Sequence, residues 1–137
     1  MYRELPAPAA LSGLVECGWL AATGPQEVRQ VHDVLPDGCM DVIWSGGALV
    51  VAGPDTAPHA APREPGDVAV GLRFAPGALP GLLGVPATAL RDQRVPLGEL
   101  HPRLTRRVES RLSAAGPLGA AEVGSGLVTL ALALPGG

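Results

Sequence analysis

Along the first 75 residues the apolar positions recur with period two, which predicts short strands that each bury one face. Residues 14–20 alternate, with Val15, Cys17 and Trp19 on one face and Leu14, Glu16, Gly18 and Leu20 on the other. Residues 27–34 read as a second strand whose register stays open, because Val28 and Val31 fall on opposite faces. Residues 39–44 and 48–52 form two β-rich runs reversed by Ser45-Gly46-Gly47, a hairpin signal. In the first run Met40, Val42 and Trp44 oppose Cys39, Asp41 and Ile43. Residues 68–74 alternate most cleanly: Val68, Val70, Leu72 and Phe74 point one way, and Ala69, Gly71 and Arg73 the other. The proline- and alanine-rich stretch from Gly53 to Gly66 reads as a loop with little to bury.

The period then changes from two to between three and four. Pro76 to Gly84 predicts a short helix stopped by Gly84 and Pro86. Leu97, Leu100, Leu104, Val108 and Leu112 define one helix face, with Pro102 in its first turn and Gly116-Pro117 at its end. A last helix over about 119–133 carries Val123, Leu127, Leu130 and Leu134 on one stripe. Five or six strands followed by two to three helices give an α+β class: a small β-barrel or sandwich, with 1–75 mainly strands and 76–134 mainly helices.

Composition narrows the function classes. A chain of 137 residues, 47% apolar and 17% charged, folds as one domain with its own core. The net charge of −3 argues against a nucleic-acid surface as the main feature. The amino terminus lacks the apolar core of a secretion signal and no run is long enough to span a bilayer, so a cytoplasmic protein with reduced Cys17 and Cys39 is expected.

Catalytic patterns are absent. Gly124-Ser125-Gly126 does not complete a nucleophile elbow, and without a single lysine there is no phosphate loop. His32, His59 and His101 are isolated, so no cupin-type metal site is expected. A soft site from Cys17, His32 and Cys39 is chemically conceivable, but buried thiols acting as small hydrophobes explain the cysteines more simply. Arg103, Arg106, Arg107 and Arg111 read as a solvated helix face.

A small-molecule pocket remains. Its candidate lining is Cys17, Trp19, Cys39, Asp41, Trp44 and Arg73, which combine aromatic and apolar walls with a few polar groups for orientation. Glu16 is a further candidate charge, and the structural alternative pairs Arg73 with Asp41 or Glu16 inside a plain packed core.

The order of the short motifs carries a resemblance. Leu35-Pro36-Asp37-Gly38-Cys39 leads into a strand and then Val51-Ala52-Gly53-Pro54. Around them stand Tyr2-Arg3-Glu4 with Pro6 and Pro8, Leu14 to Trp19, Val70 to Gly77, Leu82 to Pro86 and Val95-Pro96-Leu97. Over about residues 2–115 this resembles the amino-terminal sensor domain of a subgroup of bacterial AraC-type transcription regulators. The resemblance implies a cupin-like barrel that binds an unidentified small-molecule effector, with no cofactor, and a homodimer through helices at about 104–134. Such a regulator also carries a helix-turn-helix domain, which this sequence does not contain, so no direct DNA binding is expected of it. The alternatives are a stand-alone small-molecule-binding barrel and, behind it, a thiol-based metal sensor.

Overall fold

In the computed structural model, residues 2–7, 13–23, 30–34, 38–45 and 47–115 are described. The strands are β1 (Tyr2–Pro6), β2 (Val15–Ala22), β3 (Gln30–Val34), β4 (Met40–Ser45), β5 (Ala48–Ala52), β6 (His59–Arg63), β7 (Val68–Phe74) and β8 (Arg94–Pro96). The helices are α1 (Ala78–Leu83), α2 (Ala87–Leu90), α3 (Leu97–Leu100) and α4 (Pro102–Ala115). Six strands form one sheet in the order β1-β2-β7-β4-β5-β8, every neighbouring pair antiparallel. β3 and β6 form a separate two-stranded sheet. The class is α+β as expected, but the large sheet is open, with β1 and β8 at its edges.

The period-two pattern of β7 decides which face of the sheet becomes core. Val70, Leu72 and Phe74 pair across to Trp44, Val42 and Met40 of β4, and all but Trp44 are fully buried. Leu49 and Val51 of β5 continue this apolar face. The helices then cover it with Leu79, Leu83, Leu90, Leu97, Leu104 and Val108. Trp44 packs against this core from a half-buried position.

Three expectations change. The strand at residues 14–20 contains a bulge: Val15 pairs with Phe74, but Cys17 pairs with Arg73, so Glu16 is an extra, exposed residue. An extra residue reverses the alternation, so Val15 joins the helix-covered core while Cys17 and Trp19 lie on the opposite face. The Gly53–Gly66 stretch is not all loop, since β6 pairs residue for residue with β3. Two-stranded pairing tolerates Pro62, whose missing N–H need not face a partner. The predicted helix from Leu97 is broken at His101, where the backbone turns extended before Pro102 starts α4. His101 caps α4 itself, its Nδ1 accepting the Leu104 N–H at 3.2 Å. The helix expected at 119–133 lies outside the described residues.

The Gly53-Pro54-Asp55-Thr56 motif is a clasp. A Cβ at Gly53 would strike the Leu90 carbonyl group, 2.6 Å from its carbon, so only glycine lets the end of β5 approach α2. The Asp92 carboxylate accepts the Thr56 N–H at 2.7 Å and its hydroxyl at 2.6 Å. Arg94 donates both outer nitrogens to Asp55 at 2.9 Å. These bonds hold the turn that places β8 beside β5, and Asp92 adopts a left-handed φ of 56° within it.

Candidate functional site

The face of the sheet turned away from the helices carries the chemistry. The bulge at Glu16 sends Cys17 and Trp19 to this face, where antiparallel register sets them among specific neighbours. One row across four strands reads Glu4, Trp19, Gly71 and Ile43, and the next reads Cys17, Arg73 and Asp41. Tyr2 starts a third row with Ala21 and Ala69.

Gly71 makes the arrangement possible. A Cβ there would fall on the Trp19 indole, 2.6 Å from Nε1, so the ring lies against the bare backbone of β7. That position directs the indole N–H at Asp41, whose Oδ2 accepts it at 2.9 Å. Trp19 is 6% exposed and packs with Ala21, Ala69 and Ile43. Tyr2 lies over it, ring centroids 6.2 Å apart and planes inclined by 32°.

Arg73 is the cation at the centre. Its Nε faces Asp41 Oδ1 at 3.7 Å. Nη1 donates to Glu4 Oε1 at 3.2 Å and lies 3.7 Å from the Cys17 sulfur, while Nη2 donates to the Tyr2 hydroxyl at 3.3 Å. The Tyr2 hydroxyl in turn donates to Glu4 at 3.1 Å. Burial works against the Arg73 charge, but the Tyr2 hydroxyl and the Asp41 carboxylate more than offset it and hold its pKa above the ordinary value. Burial also raises the Cys17 pKa, only partly countered by Arg73, so at neutral pH this sulfur is a thiol. A thiol is a poor nucleophile and metal ligand.

Four of the six residues predicted from sequence therefore meet: Cys17, Trp19, Asp41 and Arg73. Trp44 does not, because it belongs to the helix-covered face, so the two tryptophans cannot line one cavity on one side of the sheet. Cys39 is buried just ahead of β4 and neither cysteine is in a disulfide. Glu16, a candidate partner of Arg73, is displaced by the bulge, and Glu4 makes the contact instead.

Tyr2, Glu4 and Gly71 were missed as site residues. The alternation of Tyr2 and Glu4 was visible, but only the β1–β2 register shows that they reach Arg73. Among the described residues no group of three or more histidine, cysteine or acidic side chains is placed to hold a metal ion. No helix of the described residues is long and apolar enough to cross a membrane. Arg103, Arg106 and Arg107 are exposed on α4.

The profile of a domain of unknown function (DUF6597) matches residues 3–96, more than half of the chain. Except for Tyr2 at the start of β1, the match takes in every strand of the described residues and every residue of the cluster. No curated protein and no solved structure matches the chain.

Proposed function

The chain belongs to the DUF6597 family of domains of unknown function, and we propose that it is a ligand-sensing domain of an AraC-type transcription regulator. The effector sits on the sheet face built from Tyr2, Cys17, Trp19, Asp41 and Arg73. One observation supports this above others: a guanidinium and an indole are held in fixed orientation, side by side, on a sheet face opposite the helix-packed core. A structural ion pair alone does not require Gly71 to be bare so that an indole can lie beside it. Apolar contact area with a few oriented polar groups is what small-molecule recognition uses. The regulatory assignment rests on the sequence resemblance. A small cupin-like barrel or sandwich is the finer reading of the fold, and it too rests on the sequence resemblance.

Binding, not catalysis, suits these groups. Burial holds the Cys17 pKa above its ordinary value and Asp41 is engaged by Trp19, so neither is poised as a nucleophile or base. Dimerisation through the carboxy-terminal region is retained with a narrower surface. Leu104 and Val108 are buried in the domain's own core, which leaves the stripe of Val123, Leu127, Leu130 and Leu134 for the interface; these residues and the side chain of Leu112 lie outside the described ones.

A thermal-shift screen of small organic compounds tests the reading. A compound that raises the melting temperature of the wild type should fail to do so in Arg73→Met and Trp19→Val, judged against each variant's own melting point. If every stabilising compound acts equally on the wild type and both variants, the site lies elsewhere.

A further inference from the structure

Resting on that site, we propose that its ligand is a small planar carboxylate that takes the place of Glu4 on the Arg73 guanidinium. Arg73 rises from β7, which has a strand on either side, and its inner edge is set against Asp41. Asp41 is poorly placed to leave, because its other oxygen holds the Trp19 N–H. The outer nitrogens point instead toward β1, an edge strand with β2 as its one neighbour in the sheet. There the carboxylate contact is weak. Glu4 reaches Nη1 through one oxygen at 3.2 Å, longer than a strong charge-assisted bond, and its side chain is 56% exposed. An incoming carboxylate approaching the outer edge of the guanidinium can accept two parallel N–H bonds, from Nη1 in place of Glu4 and from Nη2 beside or in place of the Tyr2 hydroxyl, the geometry that arginine favours.

The surroundings fit a planar anion. The exposed Tyr2 ring, backed by the buried Trp19 indole, stands beside the guanidinium and offers an aromatic surface to a flat ligand. A cation would find both carboxylates already engaged, Asp41 by Trp19 and Arg73 and Glu4 by Arg73. Glu4 is thus a tethered competitor, and a ligand that displaces it removes one of the side-chain ties between β1 and β7. Ligand occupancy would then be read as a loosened edge strand, a difference between two arrangements that the ligand itself creates.

Benzoate and its neutral analogue benzamide, titrated against Trp44→Phe protein, test this, since Trp19 is then the sole tryptophan emitter. Benzoate is expected to change Trp19 fluorescence saturably and to bind at least tenfold more tightly than benzamide. Glu4→Gln in the same background should tighten benzoate by about two- to fivefold, the factor that an exposed ion pair supplies. Arg73→Lys, which keeps the charge but loses the fork, should weaken it, and Arg73→Met should abolish it, with circular dichroism confirming that both fold. Backbone amides of residues 2–5 should exchange faster when benzoate is bound. Equal binding of the two probes would overturn the carboxylate while leaving the site itself standing. An unchanged or weaker benzoate affinity in Glu4→Gln would overturn the displacement. If neither probe perturbs Trp19, the carboxylate proposal falls, and the compound screen alone then decides whether the face binds anything.

Discussion

Gly71→Ala is the substitution whose outcome the sheet face most sharply constrains. Alanine in a strand is ordinarily tolerated better than glycine, and reduced freedom of the unfolded chain alone would stabilise the protein by about 0.4–1 kcal/mol. Here the new Cβ would overlap the Trp19 ring, with Nε1 at 2.6 Å. Relief requires the indole to lift, which pulls its N–H from Asp41 Oδ2. Overpacking costs about 1–3 kcal/mol and a lost hydrogen bond to a charged acceptor about 1.5–3. Because one ring movement relieves the first by incurring the second, the two do not add, and the net loss is about 0.5–2.6 kcal/mol after the glycine correction. For a domain of this size that corresponds to a melting temperature lower by roughly 2–9 °C. Urea denaturation of Gly71→Ala, Trp19→Val and the double variant measures it as a cycle. The alanine penalty should vanish, or become a small gain, where Trp19 is already valine. A Gly71→Ala protein as stable as the wild type, or an equal penalty in both backgrounds, would refute the ring-over-glycine arrangement.

Other perturbations probe the frame around the site. Gly53→Ala places a Cβ against the Leu90 backbone, which cannot swing aside, so the loss should reach the top of the ~1–3 kcal/mol overpacking range in urea denaturation. His101→Ala removes the cap on α4 and should cost about 0.5–1 kcal/mol, most of it recovered by His101→Asn, in thermal melts followed at a helix-sensitive wavelength. Burial raises the pKa of Tyr2 above 10.0, against the opposing pull of Arg73. The stability that Tyr2 contributes is therefore full below 10.0 and is lost as pH rises through its higher folded value. As Tyr2 is the chain's one tyrosine, its ultraviolet titration reads that value directly, and a midpoint at or below 10.0 would contradict the burial.

Much of the helix-covered core was legible because it obeys a simple period. Val70, Leu72 and Phe74 keep strict alternation, and Leu104 and Val108 sit four apart on α4. The Ser45–Ala48 reversal followed from its glycines, one of which, Gly47, holds a φ of 79°. What escaped was set by partners distant in sequence. Nothing within Val15-Glu16-Cys17 announces a bulge; it follows from the need to put Val15 over Phe74 and Cys17 beside Arg73 at once. The same is true of β6, whose alanines and proline have poor strand propensity but pair with β3 nonetheless. Asp41, Arg73, Trp19 and Cys17 were visible as chemistry-bearing residues on strands, whereas Tyr2 and Glu4 became site residues only once β1 was in register with β2. Trp44 stands apart from the cluster because its partners Leu49 and Val70 place it on the helix-covered face.

The central claim is that small molecules bind the Trp19–Arg73 face. The nuclear magnetic resonance spectrum of protein labelled with nitrogen-15 offers two indole N–H signals, one from each tryptophan, assigned by Trp44→Phe. Trp19 is bonded to Asp41 at the proposed site, while Trp44 packs on the far side of the sheet. Titration with compounds that raise the melting temperature should shift the Trp19 indole signal in proportion to occupancy and leave that of Trp44 in place. A shift of Trp44 with Trp19 unmoved would contradict the account.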